Sequence, residues 1–410
     1  MDDKRFIIIM AHGELSLAEI VNYLESSGSE YQIISRSEQV MIMDAYLDVN
    51  DAMSKLGGLF KIGTVNCTLD VKDVLDEGRL ENKLNSKEYY NWIDDKVRWC
   101  LSFYSDVPDF EVNIPDRFQD YFRQRLRKDG VKKAKYIFPK KVGKINRENI
   151  SDDIIKKHII GEGLEFLVSF ISEKYYVGVT QEVVRNQEFI NRDLCRPFQN
   201  PKESIPPKIA RIMVNLTGLS AGDRLLDPFC GIGTILQEAS ILGLQVFGSD
   251  INRKCISETI SNLKWLSETY NLEIRDISDR IFTADATQLS KYMNEEIDGI
   301  ATEPILLPPL KRFPSEDEAE NMLHTVGKTY ETFLPEISNV LKKGGKLVLV
   351  TPYIRTNKHT ERSFNLKEAF KNSGLIPYSH HNGPQFEYPI RSSVEKNKKV
   401  SRGIHVLEKL

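Results

Sequence analysis

The run Leu225-Leu226-Asp227-Pro228-Phe229-Cys230-Gly231-Ile232-Gly233-Thr234 breaks an apolar strand into a glycine turn, with a carboxylate at the break. In a doubly wound sheet the ligand lies beyond the carboxyl ends of the strands, and glycines there let the backbone approach it closely. Asp227 ends the strand, Gly231 and Gly233 leave room for a ribose and an amino-acid tail, and Pro228, Phe229, Cys230 and Thr234 shape the edge. Asp250 follows one β-α-β step later, at the end of Gln245-Val246-Phe247-Gly248-Ser249-Asp250, where an acid meets ribose hydroxyls; Ile251 comes next on the same rim. Asp285, followed by Ala286, ends a third strand and is placed to accept from an adenine amine, although an isolated Asp there would serve as a helix cap. The turn has neither the full G-x-G-x-x-G spacing nor a P-loop Lys-Ser/Thr, which argues against dinucleotides and nucleoside triphosphates. S-adenosyl-L-methionine is the expected cofactor.

The fourth strand delivers Asp298-Gly299-Ile300-Ala301-Thr302-Glu303-Pro304-Ile305-Leu306-Leu307-Pro308-Pro309-Leu310. Transfer to an exocyclic amine needs acceptors that orient the NH2 group and leave its lone pair toward the donor, so that positioning supplies much of the rate. Glu303 is one candidate acceptor. The Pro304 carbonyl is the second, since proline fixes the backbone while its C=O stays available. A purely structural reading makes Glu303 a cap or a salt-bridge partner at the sheet edge.

These residues need a parallel sheet to hold them. Strands are predicted at 224–227, 246–250, 280–283, 297–302 and 346–351, alternating with helices, and a proline-started helix at 206–216 opens the domain. Upstream, 185–207 is polar and proline-bearing and reads as a linker. The first 65 residues give the order β-α-β-β-α-β, a ferredoxin-like unit. With 410 residues the chain is long enough for roughly two or three domains.

Five cysteines without a C-x-x-C pair, and seven histidines with no metal-ligand spacing to them, predict reduced thiols and no metal. No stretch approaches the ~18 apolar residues of a membrane span, so a cytoplasmic location is expected. A net charge of −3 excludes a uniformly cationic nucleic-acid binder. It does not exclude a local patch: Arg123, Arg125, Arg127, Lys128, Lys132, Lys133, Lys135, Lys140, Lys141, Lys144 and Arg147 stand against Asp129 alone. Tyr121, Phe122, Tyr136 and Phe138 are interleaved, which suits phosphate contact with base stacking; the alternative is a solvated helix and loop whose aromatics face the core.

Together with Leu56-Gly57-Gly58-Leu59-Phe60-Lys61-Ile62-Gly63, Tyr176-Val177-Gly178-Val179-Thr180 and Arg192-Asp193-Leu194-Cys195-Arg196-Pro197, these motifs resemble the THUMP-containing RNA methyltransferases, especially archaeal and eukaryotic enzymes that methylate the 2-amino group of a tRNA guanosine. The resemblance implies an α/β multidomain chain: a ferredoxin-like domain (1–75), a THUMP-like RNA-binding domain (76–185), a linker (186–205) and a Rossmann-like, S-adenosylmethionine-dependent methyltransferase domain (206–410). It implies tRNA as partner, with Arg123, Arg127, Lys132, Lys133, Lys135, Lys140 and Lys141 as contacts. A small activator subunit stays open; neither membrane nor DNA is expected. One motif departs from the family: where it has Asp-Pro-Pro-Tyr, this chain has Thr302-Glu303-Pro304-Ile305, whose carboxylate is one methylene longer and whose Ile305 cannot stack on a flipped base. A noncatalytic RNA-binding module that keeps the fold is therefore the alternative function, and a DNA amine methyltransferase a third.

Overall fold

A computed structural model describes residues 4–85, 88–90, 95–107, 113–137, 159, 163–200, 204–293, 295–304, 306–307, 310–380, 383–392 and 398–410. They divide into two compact units: Met1–Ser16, Ser27–Ser54 and Leu59–Gln187 in the first, and Leu17–Ser26, Lys55–Gly58 and Glu188–Leu410 in the second.

The first unit is one sheet of eight strands: β1 (Lys4–Met10), β2 (Tyr31–Arg36), β3 (Val40–Ala45), β4 (Leu59–Asp70), β5 (Lys96–Ser105), β6 (Lys133–Tyr136), β7 (Gly163–Ile171) and β8 (Lys174–Val183). Their order is β2-β3-β1-β4-β8-β7-β5-β6. The first four pair antiparallel throughout, in the order of a ferredoxin-like unit. The sheet does not stop at residue 75. β4 runs twelve residues and pairs along its free edge with β8, so the segments read as two domains share one sheet; an unpaired β4 edge would leave a row of backbone donors and acceptors open. Helix Ile114–Lys128 packs on this sheet because Ile114, Phe118, Phe122 and Leu126 recur every four residues and fall on one face. Phe122 lies against Phe166, with ring centroids 3.7 Å apart.

The second unit holds β9 (Arg224–Asp227), β10 (Gln245–Asp250), β11 (Ile281–Thr283), β12 (Ile297–Thr302), β13 (Leu341–Arg355), β14 (Glu361–Arg362), β15 (Leu375–Pro377), β16 (Ile390–Arg391) and β17 (Val400–Lys409). The order is β11-β10-β9-β12-β13-β17-β15, parallel from β11 to β13, with β17 antiparallel to β13 and to β15. The strand order reverses between β9 and β12, the place where such sheets open a ligand crevice.

Of the segment expected to be a linker, residues 188–200 are built into the second unit. Asn186–Leu194 is helical, and Arg192 and Arg196 are buried. Arg192 donates to Glu238 at 2.6 Å, and Glu238 also pairs with Arg211 at 2.7 Å. A polar sequence suggests solvent, but charges paired inside the fold need none.

Candidate active site

Backbone conformation explains the two glycines separately. Gly231 has φ +53° and a Cβ built there would meet nothing within 4 Å, so the turn is open in front of it. Gly233 has φ +86° and caps helix Thr234–Ile241; a Cβ there would come within 2.8 Å of the Thr259 methyl. One glycine leaves space for a ligand, and the other lets the helix behind it pack. Asp250 takes the Gly231 N–H at 3.0 Å and the Asn252 N–H at 2.8 Å, which stitches the rim of β10 to the turn after β9. A carboxylate offers about four lone-pair positions, so two remain for hydroxyls. Ile251 beside it is 70% exposed, an apolar surface at the crevice mouth.

Not every residue of the expected site turns toward the crevice. The Thr234 hydroxyl accepts from Arg196 at 2.8 Å, and Cys230 is buried beside Thr259. The Phe229 ring packs edge-on against Phe333 at 4.9 Å. Pro228 is buried, and its carbonyl accepts from the Ser249 hydroxyl at 3.4 Å. These four build the turn from behind. Asp285 takes the Thr287 N–H at 2.9 Å and the Thr287 hydroxyl at 2.8 Å, so it is a cap; only its second oxygen is left for a ligand amine, and Ala286 is buried next to it.

The two strands at the order reversal are tied by their carboxyl-end residues. Thr302 at the end of β12 donates its hydroxyl to Asp227 at the end of β9 at 2.7 Å, and the Phe229 N–H donates to the same oxygen at 3.1 Å. Burial pushes the Asp227 carboxyl up to about 7; these hydrogen bonds favour its anion, while the Asp250 and Glu303 charges oppose it. Glu303 follows Thr302 and is held by Arg402 from β17, with Nε to Oε1 at 2.5 Å and Nη2 to Oε2 at 3.3 Å. Its side chain is only 10% exposed. Burial lifts its carboxyl above the ordinary value, and Arg402 pulls it back toward ionisation. The salt-bridge reading of Glu303 is therefore correct as geometry, and its neighbours place it beside the crevice. Pro304 is buried; Ile305, Pro308 and Pro309 lie outside the described residues.

Sequence reasoning missed Arg402, 99 residues from its partner on an antiparallel strand, and no local pattern marks it. It also missed Asn262, which accepts from the Phe198 N–H and donates to the Phe198 and Ile232 carbonyls, fixing the 192–200 segment to the glycine turn.

In the basic stretch, Phe122 is fully buried, Tyr121 packs on it, and Tyr136 packs edge-on against Trp99 at 4.6 Å. Phe122 belongs to the core, and Tyr121 and Tyr136 are partly buried against it. Among the cations, Arg123 pairs with Asp120 and Lys132 with Asp95, both at the surface. Arg127, Lys133 and Lys135 are exposed, with no ion pair among the described residues. Phe138, Lys140, Lys141, Lys144 and Arg147 lie outside the described residues. No group of three His, Cys, Asp or Glu side chains among the described residues is placed to hold a metal ion.

A family profile described as the RMKL-like methyltransferase domain matches residues 194–380. A probable tRNA (guanine(10)-N2)-dimethyltransferase of Methanothermococcus thermolithotrophicus is 36% identical over 146 residues, covering 35% of this chain and 79% of that relative. This chain belongs to the THUMP-domain tRNA guanine-N2-methyltransferase family. Another member, the tRNA (guanine(10)-N2)-dimethyltransferase of Methanothermobacter thermautotrophicus, is 34% identical over 49% of this chain, which spans only 54% of that relative's length. Among solved structures, TrmN from Thermus thermophilus shares the fold over 99% of this chain and 100% of its own, with a TM-score of 0.56 at 18% identity.

Proposed function

We propose that the chain transfers a methyl group to the exocyclic N2 amine of a guanosine in tRNA. The observation that carries this reading is that Glu303 and Pro304 directly follow Thr302, whose hydrogen bond to Asp227 joins the carboxyl ends of adjacent strands at the rim where the open glycine turn follows β9. The cofactor is S-adenosyl-L-methionine, whose sulfonium supplies an already activated methyl group. The free face of Gly231 and the remaining lone pairs of Asp250 and Asp285 fit a nucleoside carrying an amino-acid tail. Glu303 and the Pro304 carbonyl accept from the amine and hold its lone pair toward the methyl; no strong base is needed before attack, and the amine proton leaves late, to water or a nearby carboxylate. Arg127, Lys133 and Lys135 supply phosphate contacts. No helix among the described residues is long and apolar enough to cross a membrane. The cytoplasmic location belongs to this reading through its tRNA substrate.

Mass analysis of tRNA incubated with the protein and cofactor tests this reading. It predicts new N2-methylguanosine. Absence of the product in both native and undermethylated tRNA pools overturns it in favour of a noncatalytic RNA-binding module.

A further inference from the structure

The Glu303–Arg402 pair has unused capacity on both members. Fork-on-fork pairing takes one lone pair from each Glu303 oxygen and one hydrogen from each of the Arg402 Nε and Nη2. The second Nη2 hydrogen and both Nη1 hydrogens of Arg402 have no partner among the described residues, and one lone pair remains on each Glu303 oxygen. The Arg402 side chain is 23% exposed, so the pair is shielded without being sealed. Its open edge presents a donor, the outer Nη2 hydrogen, directly beside an acceptor, Oε2. A conservative Asp at position 303 would be one methylene short of this arginine.

We propose that Arg402 is a specificity-determining residue which, with Glu303, reads the Watson–Crick edge of the target base as guanine. This rests on the proposed N2 methylation. Guanine offers O6, N1–H and N2–H in that order, so Arg402 donates to O6 while Oε2 of Glu303 is the shared acceptor of N1–H and N2–H, and Pro304 takes the second amine hydrogen. Adenine presents an amine where Arg402 needs an acceptor and a bare nitrogen where Glu303 needs a donor. A purine with the 2-amino group but without O6 and N1–H carries the reacting atom and loses the recognition. Leaving the Arg402 donor without an acceptor, and replacing the N1–H that Glu303 accepts by a bare nitrogen lone pair facing a carboxylate, makes discrimination steep.

The test uses the full chain and tRNA carrying either guanosine or 2-aminopurine ribonucleoside at the methylated position. For the wild type, kcat/KM is predicted to favour guanosine by at least about 100-fold. Arg402→Met should collapse that preference to under about 10-fold, chiefly by losing guanosine, because a single bidentate contact carries discrimination of this order. Arg402→Lys, which keeps a donor but not the fork, should fall between; it also covers the case in which the methionine variant does not fold, judged by cofactor binding in calorimetry. A wild type that methylates both bases equally, or Arg402 variants that slow both substrates by the same factor, would overturn the proposal and leave Arg402 as a prop for Glu303. A wild type that methylates no guanosine overturns the underlying N2 reading itself, and is distinguished because it fails in the first arm.

Discussion

Glu165 in the eight-stranded sheet and Glu303 at the rim of the nine-stranded sheet are both buried carboxylates facing a cation, and they are finished differently. Glu165 takes Lys61 at 2.8 Å, the Ser102 hydroxyl at 2.5 Å and the Thr180 hydroxyl at 2.6 Å, with both charged side chains at or below 1% exposure. Burial opposes the Lys61 charge, yet Glu165 holds the Lys61 pKa above its ordinary value. That site leaves no face for a ligand. Glu303 has one partner among the described residues, spare lone pairs and an open edge. A buried charge enclosed by three partners holds strands in register, whereas one held by a single, partly exposed partner is available for chemistry.

Removing the cation from the filled site should have the largest effect. Lys61→Ala leaves Glu165 buried and uncompensated, and urea unfolding should show a loss of about 3–5 kcal/mol; a cost below ~1 kcal/mol would mean the sheet does not depend on the pair. The methyl-transfer rate per folded molecule should be kept.

The next effect belongs to Asp227. Its folded value of about 7 lies above the ordinary 3.8 of an exposed aspartate, so its stabilising contribution is complete in acid and is lost as pH rises from there through 7. The loss is bounded at roughly 4 kcal/mol, because each tenfold change in proton affinity is worth about 1.4 kcal/mol. Asp227→Asn should flatten the decline between pH 4 and 8 only in part, because burial also pushes Glu19 up to about 7. Affinity for the cationic cofactor should rise with pH over the same range in the wild type. An unchanged stability profile in Asp227→Asn would show that this carboxyl titrates normally.

Gly233→Ala should cost about 1–2 kcal/mol from its left-handed backbone alone, and the Thr259 contact adds to that. Thermal melts and cofactor titration read both consequences; wild-type behaviour in both would release Gly233 from its packing role. The smallest effect is expected at the surface. Lys133→Gln and Lys135→Gln should each lower the slope of log tRNA affinity against log salt by about one. An unaltered slope would mark β6 as an edge strand whose lysines merely discourage pairing.

The cofactor turn was legible because its information is contiguous: Asp227, Gly231, Gly233 and the Asp250 rim lie within one β-α-β step, and periodicity placed the strands between them. The four-residue repeat of Ile114, Phe118, Phe122 and Leu126 is just as contiguous but was passed over, because the charges beside it suggested RNA before core. What stayed hidden depends on contacts across long separations. Arg402 meets Glu303 only because β17 inserts next to β13, and Arg192 looks solvent-bound until Glu238 is seen behind it. The shared sheet was missed for the same reason, since the pairing of β4 with β8 joins residues more than a hundred positions apart.

The most direct measurement is the single-turnover rate of methyl transfer to tRNA guanosine by Glu303→Ala beside the wild type, with cofactor affinity determined on both. Positioning by Glu303 predicts a rate reduced by at least ~100-fold with cofactor affinity little changed. A variant that transfers at the wild-type rate would contradict the assignment of Glu303 as the residue that holds the amine.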